Sequence, residues 1–216
     1  MLTVFLMVLA GWVFSLTLHE FAHALVAYWG GDTSVREKGY LTFNPLKYTH
    51  PVYSLLLPVV FLLMGGIGLP GGAVYIETWR LRSRWWESAV SLAGPVANLV
   101  LALLLGLLFR LGVFGQGALG QSVAFLALLQ VTSAMFNLIP VPPFDGYGAM
   151  RPQLPISARR RLDEFSAVSM YAVLALFWFV PGAAGVFWFL VGVIARLLGI
   201  PLDLALMGQN AFLFWR

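Results

Sequence analysis

Cysteine is absent from these 216 residues. Disulfides, thiolate metal sites and cysteine nucleophiles are therefore excluded, and any bound metal must be held by His, Asp or Glu. Charge is scarce as well: 10% of the residues are Asp, Glu, Lys or Arg, where a soluble domain carries about 25%. Histidine occurs three times, at positions 19, 23 and 50. There is no internal repeat, no low-complexity tract and no polar stretch long enough to build a core of its own. What is there is apolar surface: 60% of the chain is hydrophobic, which marks an integral membrane protein made mostly of its spanning helices. The formal charge of +4 resides in loops between apolar runs, a topology signal rather than a contact for nucleic acid.

Five apolar blocks stand out, at residues 1–29, 52–69, 88–109, 118–139 and 165–200, with Gly and Pro at most of the breaks. They predict an all-α polytopic membrane protein, a bundle of about five to six transmembrane helices. The opening run lacks both a basic leader and a small-residue cleavage site, so the first helix is expected to be retained rather than removed as a signal peptide. Block 52–69 is weaker, with Pro58 inside it and a Gly-rich end from Gly65 to Gly72, which suits a re-entrant or kinked segment. Block 165–200, cut by Pro181-Gly182, predicts two marginal spans or one helical hairpin. A single membrane-embedded domain over 1–216 is expected, with its motifs within 1–150.

The chemistry begins at HEFAH. On a helix, His19 and His23 share a face with Cβ atoms about 5–6 Å apart, close enough for two imidazoles to hold one metal ion. Glu20 projects beside that face, where it reaches a metal-bound water without being a ligand. This is the HExxH arrangement of zinc metallopeptidases, with the Glu as general base. With three His and five Glu in the chain, chance produces it on the order of once in a thousand such sequences. Location strengthens it. An ionisable group near the middle of a membrane helix costs about 2.5–3.5 kcal/mol on insertion scales and persists where it is paired or functional.

A catalytic zinc takes a third protein ligand and leaves one position open. His50, Glu77, Glu87, Asp145, Asp163, Glu164 and Asp203 are the candidates near apolar segments. Asp145 is preferred. Pro140, Pro142 and Pro143 stop the preceding helix and predict an extended strip, Gly146 permits a tight turn beside the carboxylate, and non-helical backbone at membrane depth lines a cavity. For His19, His23 and Asp145 to meet, an even number of crossings must separate them, so one of three intervening blocks does not cross; 52–69 is the one. Loops 30–51, 70–87 and 140–164 then share a side. They hold Arg36, Lys38, Lys47, Arg80, Arg82, Arg84, Arg151, Arg159, Arg160 and Arg161, against Arg110 in the opposite loop. The positive-inside rule makes that side cytoplasmic.

Other polar residues have plainer expectations. Trp79, Trp85 and Trp86 among arginines suit a membrane-interface anchor, and His50 an interfacial position. Asn137 could position substrate or bond a neighbouring helix. Asn98 is expected to tie backbone at the entry of a helix begun by Gly94-Pro95. The stretch from Gly65 to Glu77 could pair with an extended substrate as an edge strand, or be a plain loop.

At these residues the chain resembles the site-2 protease family of intramembrane zinc metalloproteases. The family's HExxH is matched at 19–23, its N-x-x-P-x-P-x-x-D-G at Asn137, Pro140, Pro142, Asp145 and Gly146, and its AGPxxN at Ala93 to Asn98. The chain is most similar to small members without PDZ or CBS domains, through LTFNPLKYTHP after the first helix. It departs from the pattern at Phe144, where Leu is usual, and at Tyr147, where a second Gly is common. The resemblance implies that His19, His23 and Asp145 bind one zinc ion and that Glu20 is the base. It further implies a core of six helices or fewer, a site open to the cytoplasm of a cell membrane, and hydrolysis within or near transmembrane segments of membrane protein substrates. The alternative is a metal-binding membrane protein without peptidase activity, a transporter or an inactive scaffold. A transporter should show repeated halves with broken helices, which are not found, and the Glu that an inactive relative loses is present.

Overall fold

No proline interrupts residues 2–30, and α1 (Leu2–Gly30) runs 29 residues, about 44 Å at 1.5 Å per residue and more than a bilayer core. It stops where Gly31 turns left-handed, at φ 118°, and returns its N–H to the Ala27 and Tyr28 carbonyls. The computed structural model describes residues 1–48, 59–60, 62–63, 74–180 and 182–215, and among these every regular element is helical. After α1 come a single turn, α2 (Ser34–Glu37), and two long helices, α3 (Arg84–Arg110) and α4 (Ala118–Asn137). The remainder is α5 (Asp145–Met150), α6 (Ile156–Glu164), α7 (Ser166–Phe179), α8 (Ala183–Leu198) and α9 (Leu202–Phe212).

Three of these helices, α1, α3 and α4, are long and apolar enough to cross a membrane; α8 and α9 qualify only as a pair, bent by 118° at their break. The expected five to six spans are therefore not reached by helices of spanning length among the described residues. Block 165–200 becomes α7, too short to span, and α8, which leads into the sharply bent α9. Gly94-Pro95 does not begin a helix either. α3 starts at Arg84 and carries Pro95 in its interior; the missing N–H frees one carbonyl, and neighbouring helices in a bundle tolerate that loss.

The three long helices form the frame. α3 runs antiparallel to α1, with His23 opposite Val90 and His19 opposite Gly94. Its buried residues Val90, Gly94, Asn98, Ala102 and Gly106 recur every fourth position, a mostly small-residue stripe that lets helix axes approach. α4 runs parallel to α1, with Gly11 against Leu126 and Ser15 bonded to Gln130 at 2.8 Å. The inward stripe of α1 changes character along its length. Val4, Val8, Trp12 and Leu16 pack on Phe125, Leu129 and Phe212 in the N-terminal half, whereas the other half buries His19, Glu20 and His23 together with the small residues Thr17, Ala24, Ala27 and Gly30.

The Arg82 N–H donates to the Gly30 carbonyl at 2.9 Å, so the end of α1 and the residues just before α3 meet at one end of the bundle, which agrees with an even number of crossings between them. Leu62, inside block 52–69, is buried in the cluster with Val4 and Val8. Most of that block, with its re-entrant expectation, lies outside the described residues, as do His50 and the stretch from Gly65 to Gly72.

Candidate active site

Helical spacing alone brings His19 and His23 together: their Nε2 atoms lie 3.0 Å apart, on residues only 5% and 6% exposed. Tertiary structure adds the third group, with Asp145 Oδ2 3.2 Å from His19 Nε2 and 3.5 Å from His23 Nε2. Ligand atoms about 2.0–2.2 Å from a tetrahedral zinc stand about 3.3–3.6 Å from one another. The observed 3.0, 3.2 and 3.5 Å lie within a few tenths of an ångström of that spacing, so the three groups converge on one point and suit one metal ion in donor chemistry. A second observation supports that fit: Asp145 Oδ2 is buried without a hydrogen-bond partner among the described residues, a costly state for a carboxylate unless an ion takes it up. His23 Nδ1 donates to the Val90 carbonyl at 2.7 Å, which leaves the Nε2 lone pair toward Asp145. Glu20, 4% exposed, adjoins the triad and lines one cavity with Val74.

Asp145 reaches the histidines through turns rather than an extended strip. The Val141 N–H bonds the Ile139 carbonyl at 2.9 Å, and the Phe144 N–H bonds the Val141 carbonyl at 3.0 Å. Pro142 and Pro143 occupy the centre of that second turn, where no N–H is needed. Gly146 is indispensable there, since a β-carbon would collide with the Leu138 carbonyl. Tyr147, the departure from the family pattern, turns away from the metal ligands: its hydroxyl donates to Asp163 Oδ1 at 2.7 Å, and Arg151 holds both oxygens of the same carboxylate at 3.0 and 2.7 Å. Phe144 is buried.

A cavity of about 650 Å³ opens on the triad, lined by Glu20, Val74, Tyr75, Glu87 and Asn137 among others. Asn137, in the cavity wall, is 3% exposed, and its Nδ2 has no partner among the described residues. Asn98 is 2% exposed in mid-helix with Oδ1 unpartnered among the described residues, and does not tie a helix entry. Of the other ligand candidates, Glu77 pairs with Lys38 and Arg80, Glu87 lies 3.6 Å from Arg151, and Asp163 is taken by Arg151 and Tyr147. Glu164 and Asp203 do not join the triad, the one such metal-ligand group among the described residues. Trp79 and Trp85 are exposed, as an interfacial anchor requires, while Trp86 packs against Gly30.

Two features escaped sequence reasoning. Gly94 is where α3 passes the imidazoles, and a β-carbon there would stand inside contact distance of both Nε2 atoms; the glycine of AGPVAN was the available signal. Asp32, fully buried, carried only the look of a turn residue.

The model of peptidase family M50 matches residues 5–120, a range that includes the two histidines, Glu20 and Gly94. The chain belongs to peptidase family M50, the site-2 protease family. Its M50 relatives include two mycobacterial proteins named "Putative zinc metalloprotease Rip2". That of Mycolicibacterium smegmatis is 53% identical over 160 residues, 74% of this chain but 61% of the relative's own length. That of Mycobacterium tuberculosis is 44% identical over 98% of this chain and 82% of the relative. The Bacillus subtilis protein named "Putative zinc metalloprotease YwhC" is 33% identical over 76% of this chain and 77% of the relative. No solved structure matches. The family and the three apolar helices of spanning length together support a membrane metalloprotease.

Proposed function

We propose that this M50 chain is an intramembrane zinc endopeptidase that cleaves membrane protein substrates within or near their transmembrane segments. The observation that carries the proposal is the meeting of His19, His23 and Asp145 beside Glu20 at a cavity among membrane helices. His19 Nε2, His23 Nε2 and Asp145 Oδ2 are the ligand atoms, and the relatives' names supply zinc as the metal. A zinc ion bound there contributes Lewis acidity, which acidifies water and polarises the scissile carbonyl.

The chain's own residues do the rest. The Glu20 carboxylate takes the proton of the attacking water and delivers it to the leaving amine nitrogen. The Val90 carbonyl fixes the His23 tautomer. A substrate helix must first unwind, because its carbonyls are bonded internally, and its freed backbone groups then need partners. Asn137 Nδ2 and the backbone of residues 74–77 offer them. The chemistry faces the cytoplasm of the cell membrane, the side where ten basic residues gather.

The test replaces Glu20 by Gln in purified protein, reconstituted with a single-span substrate whose helix carries Gly and Pro near its cytoplasmic end. Zinc should stay bound while cleavage drops by about a hundredfold or more. Cleavage at the wild-type rate by the variant overturns the proposal and favours a metal-binding scaffold.

A further inference from the structure

Residues 74–77 pass the mouth of the cavity as a strap without regular structure. Val74, Tyr75 and Ile76 line that cavity together with Glu20. Something must keep such a strap in place, and the structure shows what does. Asp32 has no exposed surface. One of its oxygens serves the adjacent turn, accepting from the Ser34 N–H at 3.0 Å and the Ser34 hydroxyl at 2.6 Å, which is an ordinary role for an aspartate before a helical turn. The other oxygen reaches across the fold and accepts from the Glu77 N–H at 2.8 Å. A purely local cap has no use for that second bond.

Lys38 repeats the pattern. Its ammonium donates to Ser34 Oγ at 2.9 Å, to Glu77 Oε1 at 2.8 Å and to the Tyr75 carbonyl at 3.3 Å, and it sits 4.8 Å from the centre of the Tyr75 ring. Asp32 and Lys38 thus share Ser34 at their base and grip the strap at two successive odd positions, 75 and 77. The even-numbered residues Val74 and Ile76 pack against the apolar cluster of Ala24, Ala27, Val35, Tyr40, Tyr48 and Val90. Among the described residues, the Tyr75 N–H and both backbone groups of Ile76 have no partner.

We propose that Asp32 and Lys38 are positioning residues that hold the Val74–Glu77 strap in register with Glu20, so that an unwound substrate can pair with its open backbone groups beside the catalytic carboxylate. They touch neither metal ligand nor scissile bond; they set where substrate binds. This inference rests on the proteolytic function proposed above.

The test uses the full chain in vesicles with the single-span substrate already shown to require Glu20, so failure of the protease function is recognised before the variants are made. Asp32→Asn keeps an oxygen for Ser34 and opposes the Glu77 N–H with an amide donor. Lys38→Met keeps the stem, removes the charge and acts at a less buried site. Both should raise KM by about tenfold, leave kcat within a factor of about two, and retain bound zinc. A photo-crosslinker at Thr78, which lines the cavity, should capture substrate in the parent and lose most of that capture in both variants. An unchanged KM overturns the inference. So does loss of zinc or of folding in both variants in proportion to the lost activity, because that pattern belongs to a structural role.

Discussion

At the scale of single residues, the site depends on close approach as much as on ligands. Gly94 lies against both imidazoles, and the antiparallel α3 could not pass α1 at that distance with any side chain there. Gly94→Ala should therefore displace His19 and His23 and weaken zinc binding by about 10–100-fold, the range seen when the groups that orient metal ligands are altered. Competition against a zinc chelator measures it, and wild-type affinity in the variant would refute the packing account. The helix itself should survive, since Ala is the better helix former. Removing zinc by chelation should abolish cleavage and leave α1 folded, because α1 is anchored independently by Val4, Val8, Trp12 and Leu16 in the apolar cluster. Circular dichroism before and after metal removal checks this.

At the scale of elements, α5 carries Asp145 yet is only six residues long, so its orientation must come from outside. Gly148 lets it sit on Ser91 of α3, and Tyr147 and Arg151 tie it to Asp163 on α6. The Arg151 guanidinium, hydrogen-bonded to both oxygens, holds the Asp163 carboxyl below its ordinary range, with the Tyr147 hydroxyl adding to it. A carboxyl lowered in the folded state stabilises it fully above the ordinary aspartate range near pH 4, and that contribution fades as pH falls through the folded value. Limited proteolysis between α5 and α6 should accordingly accelerate on acidification below about pH 4, and Asp163→Asn should show the faster cleavage already at neutral pH. Equal protease resistance of variant and parent at pH 7 would remove the tie from the account. Nothing in the residue string pointed to this tie, because Tyr147 and Asp163 belong to different elements and each looks ordinary alone. Helix α3 was legible as an apolar run but its start was not: Gly94-Pro95 reads as a boundary in any soluble helix, and only the surrounding bundle makes an interior proline tolerable.

At the scale of the whole molecule, the ends of α1 and α4 and the start of α3 share one end of the bundle, joined by the bond between Arg82 and Gly30. Cysteines placed at the exposed positions Glu37 and Trp79 of this Cys-free chain should react from the cytoplasmic side, and one at the exposed Val113 from the opposite side. Labelling of positions 37 and 79 from opposite faces would overturn the topology. Sequence alone determined the membrane class, the histidine pair with Glu20 beside it, and the loops in which charge gathers. Each of these follows from composition or from spacing along one helix, where 3.6 residues per turn leaves no freedom about which side chains meet. It also singled out Asp145, through the prolines that had to end the preceding helix. Only the tertiary structure decided that the carboxylate meets the imidazoles, that Gly94 makes room for them, and that a buried Asp32 grips a strap 45 residues away. Those contacts join elements distant in the chain, and they depend on helix crossings and close approaches that no local pattern encodes.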